Sequence, residues 1–159
     1  MATHVLGMAK SCLDLKGAKS SKVELDFLRL LYAVQKIEDN GESAIGCFFV
    51  GNEKVKKTVE TWFNKYGFSF KSKIEILTLE QISKNDYEKL LTEKARNSKG
   101  NIRHNDKSIS KEYASGKIGK EIFEKALTNH LKSKYKIKEI ISDNKPFGIN
   151  WDFYHQIKK

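Results

Sequence analysis

Asp14-Leu15-Lys16 sets a carboxylate and an ammonium two residues apart, and Trp151-Asp152-Phe153 supplies a second carboxylate at the far end of the chain. On an extended segment, residues i and i+2 point the same way, so Asp14 and Lys16 are expected to share one face. Two hard carboxylates suit Mg2+, with Mn2+ as a substitute and waters completing the octahedron. Such an ion polarises a phosphate and lowers the pKa of a water, while a lysine offsets the negative charge that develops. Asp14 and Asp152 as metal ligands, with Lys16 to orient or activate the water, form a minimal site for phosphodiester hydrolysis. Asp-x-Lys is a cheap pattern in a chain with 30 Lys and Arg, and it recurs at Asp143-Asn144-Lys145, where a turn explains it.

Such a site requires elements that bring residue 14 beside residue 152. Residues 9–16 read as a strand entering a turn at Gly17-Ala18, and residues 149–157 as a final strand. Pairing 149–157 antiparallel with 4–16 would set Asp152, early in one strand, near Asp14, late in the other. The chain ends would then lie side by side, as is common in compact domains, and His4 would lie near the mouth of the pair. Between these strands, Val23, Phe27, Leu30, Leu31, Val34 and Ile37 define a helix over 22–38, opened by Ser20 and Ser21 and stopped at Asn40-Gly41. Residues 44–50 are one apolar run, the mark of a buried strand. A helix over 53–66, a strand over 73–79 and a helix over about 80–94 follow. This alternation predicts parallel pairing with helical crossovers. A helix over about 117–134 and a strand over 136–141 complete the order.

The charge balance narrows the partners. The formal net charge of +10 over 159 residues favours polyanions, because each phosphate neutralised releases counterions. A Lys-rich solubilising surface is the plain alternative. The stretch at about 95–116 reads as a basic linker: from Lys94 to Lys120 there are eight Lys or Arg against Asp106 and Glu112. Within it, Lys99, Arg103 and Lys107 are candidate nucleic-acid contacts. Lys19, Ser20 and Lys22 follow the Asp-x-Lys and open a helix, where a phosphate can bind or the serines can simply cap. Cys12 and Cys47 lack metal-ligand spacing and read as core thiols of a reducing, cytoplasmic setting. No apolar run approaches the ~20 residues of a membrane span. One domain over 1–159 is expected.

Read from residue 116 to 159 and then from 1 to 82, the order resembles the PD-(D/E)xK nuclease superfamily, which includes restriction endonucleases and Holliday-junction resolvases. The resemblance rests on Gly119-Lys120-Glu121-Ile122-Phe123-Glu124 as the opening helix, Trp151-Asp152-Phe153 as the Asp strand and Leu13-Asp14-Leu15-Lys16-Gly17 as the Asp-x-Lys strand. The next helix, the 44–50 strand, the helix after it and the 74–79 strand form the closing half. It implies an α/β fold with a restriction-endonuclease-like core, a central mixed sheet flanked by helices, in circularly permuted order. It also implies Glu124 as the helix carboxylate that holds a metal-bound water, with Glu121 second. Glu124 is preferred because Leu127 and Leu131 follow at +3 and +7. The implied activity is Mg2+-dependent cutting of DNA, of restriction or junction/repair type, by a homodimer that could be strand-swapped; RNA is not separated from DNA. No acidic residue precedes Asp14 in the linear chain, so only the permuted order works.

Two rivals share these features: a non-catalytic nucleic-acid-binding or scaffold module of the same fold, and a small basic nuclease toxin. Glu121 and Glu124 among lysines also read as a solvated helix face. His104, His130 and His155 lack partners at ligand spacing and read as surface residues. Trp151, Phe153 and Tyr154 read either as a groove lining or as core alternation.

Overall fold

The apolar run Ala44–Val50 forms the centre of a four-stranded sheet. In the computed structural model, which describes residues 2–15, 17–66, 73–100, 117–138 and 146–158, strand β1 spans Ala2–Ala9, helix α1 Ala18–Asp39, β2 Ser43–Val50, α2 Glu53–Tyr66 and β3 Ile74–Thr78. A single turn, α3 (Leu79–Ile82), leads into α4 (Lys84–Gly100). Helix α5 covers Lys117–Tyr135, a 3-10 turn Pro146–Gly148, and β4 Phe153–Lys158. The strand order is β3-β2-β1-β4. β1 and β3 flank β2 in parallel, and β4 runs antiparallel to β1 with Ala2 opposite Lys158 and Gly7 opposite Phe153. The protein is therefore α/β, with an open mixed sheet flanked by helices.

The period-two geometry of β2 explains both layers. Phe48 and Val50 face one side, where Phe27, Leu30 and Val34 of α1 and Val55, Val59 and Trp62 of α2 complete the core. Cys47 and Phe49 face the other, against Phe123, Leu127 and Leu131 of α5 and Leu90 of α4. Covered on both faces, the strand needs no polar alternation. Gly7 lets α5 approach β1: a Cβ there would stand 3.2 Å from Leu127 Cδ2 and 3.1 Å from Phe153 Cβ. Burial, and then the nearby Glu75 carboxylate, push the Cys47 thiol far up, so this cysteine is an inert packing group. No helix among the described residues is long and apolar enough to cross a membrane.

Several boundaries differ from expectation, each for a local reason. The first strand ends at Ala9, not 16. Lys10 N–H still donates to Phe49 O at 2.8 Å, but the chain then turns across β2 toward α2, and Asn52 Nδ2 donates to Leu13 O at 3.1 Å. The apolar Cys12, Leu13 and Leu15 are packed by this loop rather than by a strand. Ser20 and Ser21 lie inside the first turn of α1. The N-cap is Gly17 (φ 58°, ψ −132°), with no side-chain cap bond. Thr78 Oγ1 accepts from Gln81 N–H to start α3, and Ser83 breaks the helix expected over 80–94 in two. The backbone of 95–100 belongs to α4 instead of a linker, and 101–116 lie outside the described residues.

The strand expected at 136 begins instead with a helix stop. Lys136 takes a positive φ of 54°, and Ile137 N–H donates back to Lys132 O at 2.9 Å, a Schellman-type end. Residues 139–141 lie outside the described residues. The last strand starts at Phe153 because the 3-10 turn and its exit occupy 146–152. His4 lies near the open end of the β1–β4 pair but is buried. Its ring nitrogens bond Tyr154 Oη at 2.8 Å and Glu42 Oε2 at 2.9 Å, tying β4 to the α1–β2 turn.

Candidate active site at the carboxyl end of the sheet

In open α/β sheets, ligands gather at the carboxyl ends of the parallel strands, where successive connections leave in opposite directions. Here that point is the end of β1. The chain proceeds from β1 to β2 and β3 on one side, while β4 enters on the other.

Asp152 sits at this seam, just before β4. Its backbone N–H donates to Gly7 O at 3.0 Å, and its Oδ2 accepts from Ala9 N–H at 2.8 Å. The carboxylate thereby satisfies the last amide of β1 and is fixed beside the strand end, with Oδ1 bearing no bond among those described for it. The antiparallel pairing expected of the two ends is thus present, although Asp152 lies one residue outside the strand.

Asp14 occupies the loop after β1, not a strand face. Its Oδ1 accepts from Leu15 N–H at 2.9 Å and lies 3.2 Å from Lys54 Nζ in the first turn of α2. The alternation argument that joined Asp14 to Lys16 therefore does not apply. The loop, rather than a pleat, sets the direction of Asp14. Lys16 itself lies outside the described residues, as do Arg103 and Lys107. The backbones of Lys19 and Lys99 lie in α1 and α4. Ser20 is half-buried and Lys22 exposed in the first turns of α1.

Helix α5 opens near the same end of the sheet. A Cβ on Gly119 would meet Leu90 Cδ1 at 3.0 Å and Ser11 Cβ at 4.0 Å. Glu121 is exposed. Glu124 is half-buried beside the core residues Phe123 and Leu127, with Lys120 Nζ at 3.8 Å. Among the described residues, no group of three or more His, Cys, Asp and Glu side chains is arranged to hold a metal ion. Asp14 and Asp152 are two carboxylates with hard oxygens, the donor type that Mg2+ and Mn2+ take.

Two features of this end were not anticipated. Lys10 Nζ pairs with Asp26 Oδ2, and Arg29 Nη1 donates to Asp26 Oδ1 at 3.0 Å, which makes a cation–carboxylate–cation cluster. Opposite it stands the Phe147–Asn150 segment, across a groove of about 600 Å3. Lys10 could have been suspected from its place directly after a strand. Nothing in the linear sequence joins residue 147 to residue 29.

No family model, curated protein or solved structure matches this chain.

Proposed function

We propose that the protein is a metal-dependent endonuclease hydrolysing DNA phosphodiester bonds, with a permuted restriction-endonuclease-like core and acting as a homodimer. The observation that carries this reading is the β1–β4 pairing. It anchors the Asp152 carboxylate on the Ala9 amide, at the sheet end from which the Asp14 loop departs. Asp14 and Asp152 would hold Mg2+, which supplies a more acidic water and offsets phosphate charge. Lys16 orients the attacking water, and Glu124 holds a water at the opening helix. In the first turns of α1 the half-buried Ser20 and the exposed Lys22 would offer a hydroxyl and a cation to a neighbouring phosphate, and Lys19 would add a second cation. The net charge of +10 supports a polyanionic substrate.

Plasmid DNA incubated with and without Mg2+ tests the assignment. Cutting is expected only with metal. Asp14→Asn is expected to abolish cutting and leave the gel shift unchanged; an Asp14→Asn protein that cuts like the parent sinks the assignment.

The Asp14–Lys54 ion pair favours one second reading, a nucleic-acid-binding module without catalysis, in which Asp14 merely fastens the loop to α2. It predicts salt-sensitive binding with no metal dependence.

A further inference from the structure

The groove between Lys10 and the segment before Asp152 is not used by the hydrolytic reading, and its lining is of unlike chemistry. One wall carries Lys10, Asp26 and Arg29; the other is the segment Phe147–Asn150. Two cations share one carboxylate, so the wall keeps one net positive charge. Along α1, Lys22, Arg29 and Lys36 recur every seven residues and are all exposed. They therefore share a face, with a helical rise of about 10 Å between neighbours.

Phe147 is the unusual residue of the opposite wall. Its backbone is left-handed (φ 64°), a conformation that bulky residues hold only where the surroundings impose it, and Gly148 follows at φ 67°. The turn is pinned by Trp151 Nε1, which donates to Pro146 O at 3.1 Å. Yet the phenyl ring so positioned is 44% exposed rather than buried. Its edge-to-face neighbour, Tyr32, is 52% exposed, with ring centroids 6.0 Å apart and planes at 76°. Lys36 Nζ covers the tyrosine at 5.6 Å. An aromatic held in the open beside a file of cations matches the stacking platform and charged track that bind unpaired strands.

We propose that this groove seats an unpaired nucleotide of a nucleic-acid strand, its base stacked on Phe147 and its phosphate on Lys10 and Arg29. The strand continues along the Lys22–Arg29–Lys36 face, and the Asn150 amide, which both donates and accepts, lies within the groove for a base edge. Bases inside a duplex present no free face to a side chain. The inference rests on the nucleic-acid reading above and narrows the substrate to strands with unpaired bases, such as junction arms, flaps or single strands.

The test is fluorescence anisotropy with labelled oligothymidine and a duplex of equal length, in EDTA, so that no cutting is required. Oligothymidine is expected to bind more tightly than duplex. Phe147→Ala should weaken oligothymidine binding about tenfold, the scale of one lost base–aromatic stack, and change duplex binding less than about twofold. Phe147→Trp should retain the affinity. Arg29→Ala should reduce the salt slope on oligothymidine by about 0.7, the value for one phosphate contact. A parent protein that ignores oligothymidine overturns the inference. So does a Phe147→Ala variant that matches the parent, or one that loses equally on both probes. The two readings fail separately: a Phe147-dependent preference without metal-dependent cutting defeats only the hydrolytic site, and cutting with Phe147-insensitive binding defeats only the groove.

Discussion

Asp152 has a structural role and a proposed chemical one, and substitutions separate them. Its Oδ2 takes the Ala9 amide, a part-buried donor that Asp152→Ala would leave unpaired. Such a loss costs about 1–3 kcal/mol. Asparagine keeps an acceptor for that amide but loses the charge a metal needs. Asp152→Asn is therefore expected to unfold at nearly the parent's temperature and to lose Mg2+-dependent cutting, whereas Asp152→Ala loses both; thermal melts beside plasmid assays check this. If Asp152→Asn cuts DNA normally, Asp152 is only a strand-end acceptor. The candidate carboxylates were legible as residue types. Their surroundings were not, because the Lys54–Asp14 and Ala9–Asp152 contacts join positions 40 and 143 residues apart.

At the scale of elements, the loop after β1 is set by the residue it crosses. A Cβ on Gly51 would stand 2.5 Å from Cys12 O and 2.7 Å from Leu13 Cδ2, so any side chain there displaces the segment that carries Asp14. Backbone cannot yield as a flexible side chain does, and overpacking of this kind costs about 1–3 kcal/mol. Gly51→Ala is expected to lower stability by that amount and to reduce cutting severalfold more than binding, read by urea melts and plasmid turnover. Unchanged turnover would show that the loop's position is irrelevant to the chemistry. The helices and the central strand were legible because burial on one or both faces imposes a period. The loop is not distinguishable from a strand in the sequence because Cys12, Leu13 and Leu15 look the same whether a pleat or a loop buries them. The break at Ser83 and the Lys136 helix end were hidden for a related reason: both depend on which backbone group a neighbouring residue satisfies.

For the whole molecule, two consequences follow from the way the strands are paired and tied. Ala2 lies opposite Lys158, so a short turn can join the ends of β1 and β4. A chain joined there and reopened within 101–116 is expected to keep the parent's circular dichroism and cooperative melt; loss of folding would contradict the permuted-order reading. The second consequence concerns acid. Burial alone would push Glu38 up, but Lys73 Nζ at 2.6 Å and the Ala44 N–H at 3.0 Å outweigh it and hold the carboxyl below its ordinary 4.5. A lowered folded-state pKa contributes stability above pH 4.5, and that contribution is lost as the pH falls below it. Glu38→Gln is expected to cost about 1 kcal/mol at pH 7, with the difference from the parent shrinking below pH 4.5. Urea melts at both pH values check this, and a gap that persists in acid would assign the effect to packing.

The sequence by itself determined the α/β class and the parallel pairing of the first strands through helical crossovers, whereas the strand order and the antiparallel return of the last strand were decided by the fold. The class and the parallel pairing follow from apolar periodicity and from the limited ways of covering both faces of a sheet. It also determined the basic character that points to a polyanion, which needs no geometry. Only the tertiary structure decided that Asp14 stands in a loop tied to α2, that Asp152 is fastened to the end of β1, and that Phe147 faces Arg29 across a groove. Each of these brings together residues remote in the chain. Such contacts arise from the packing of finished elements, and no local pattern encodes them.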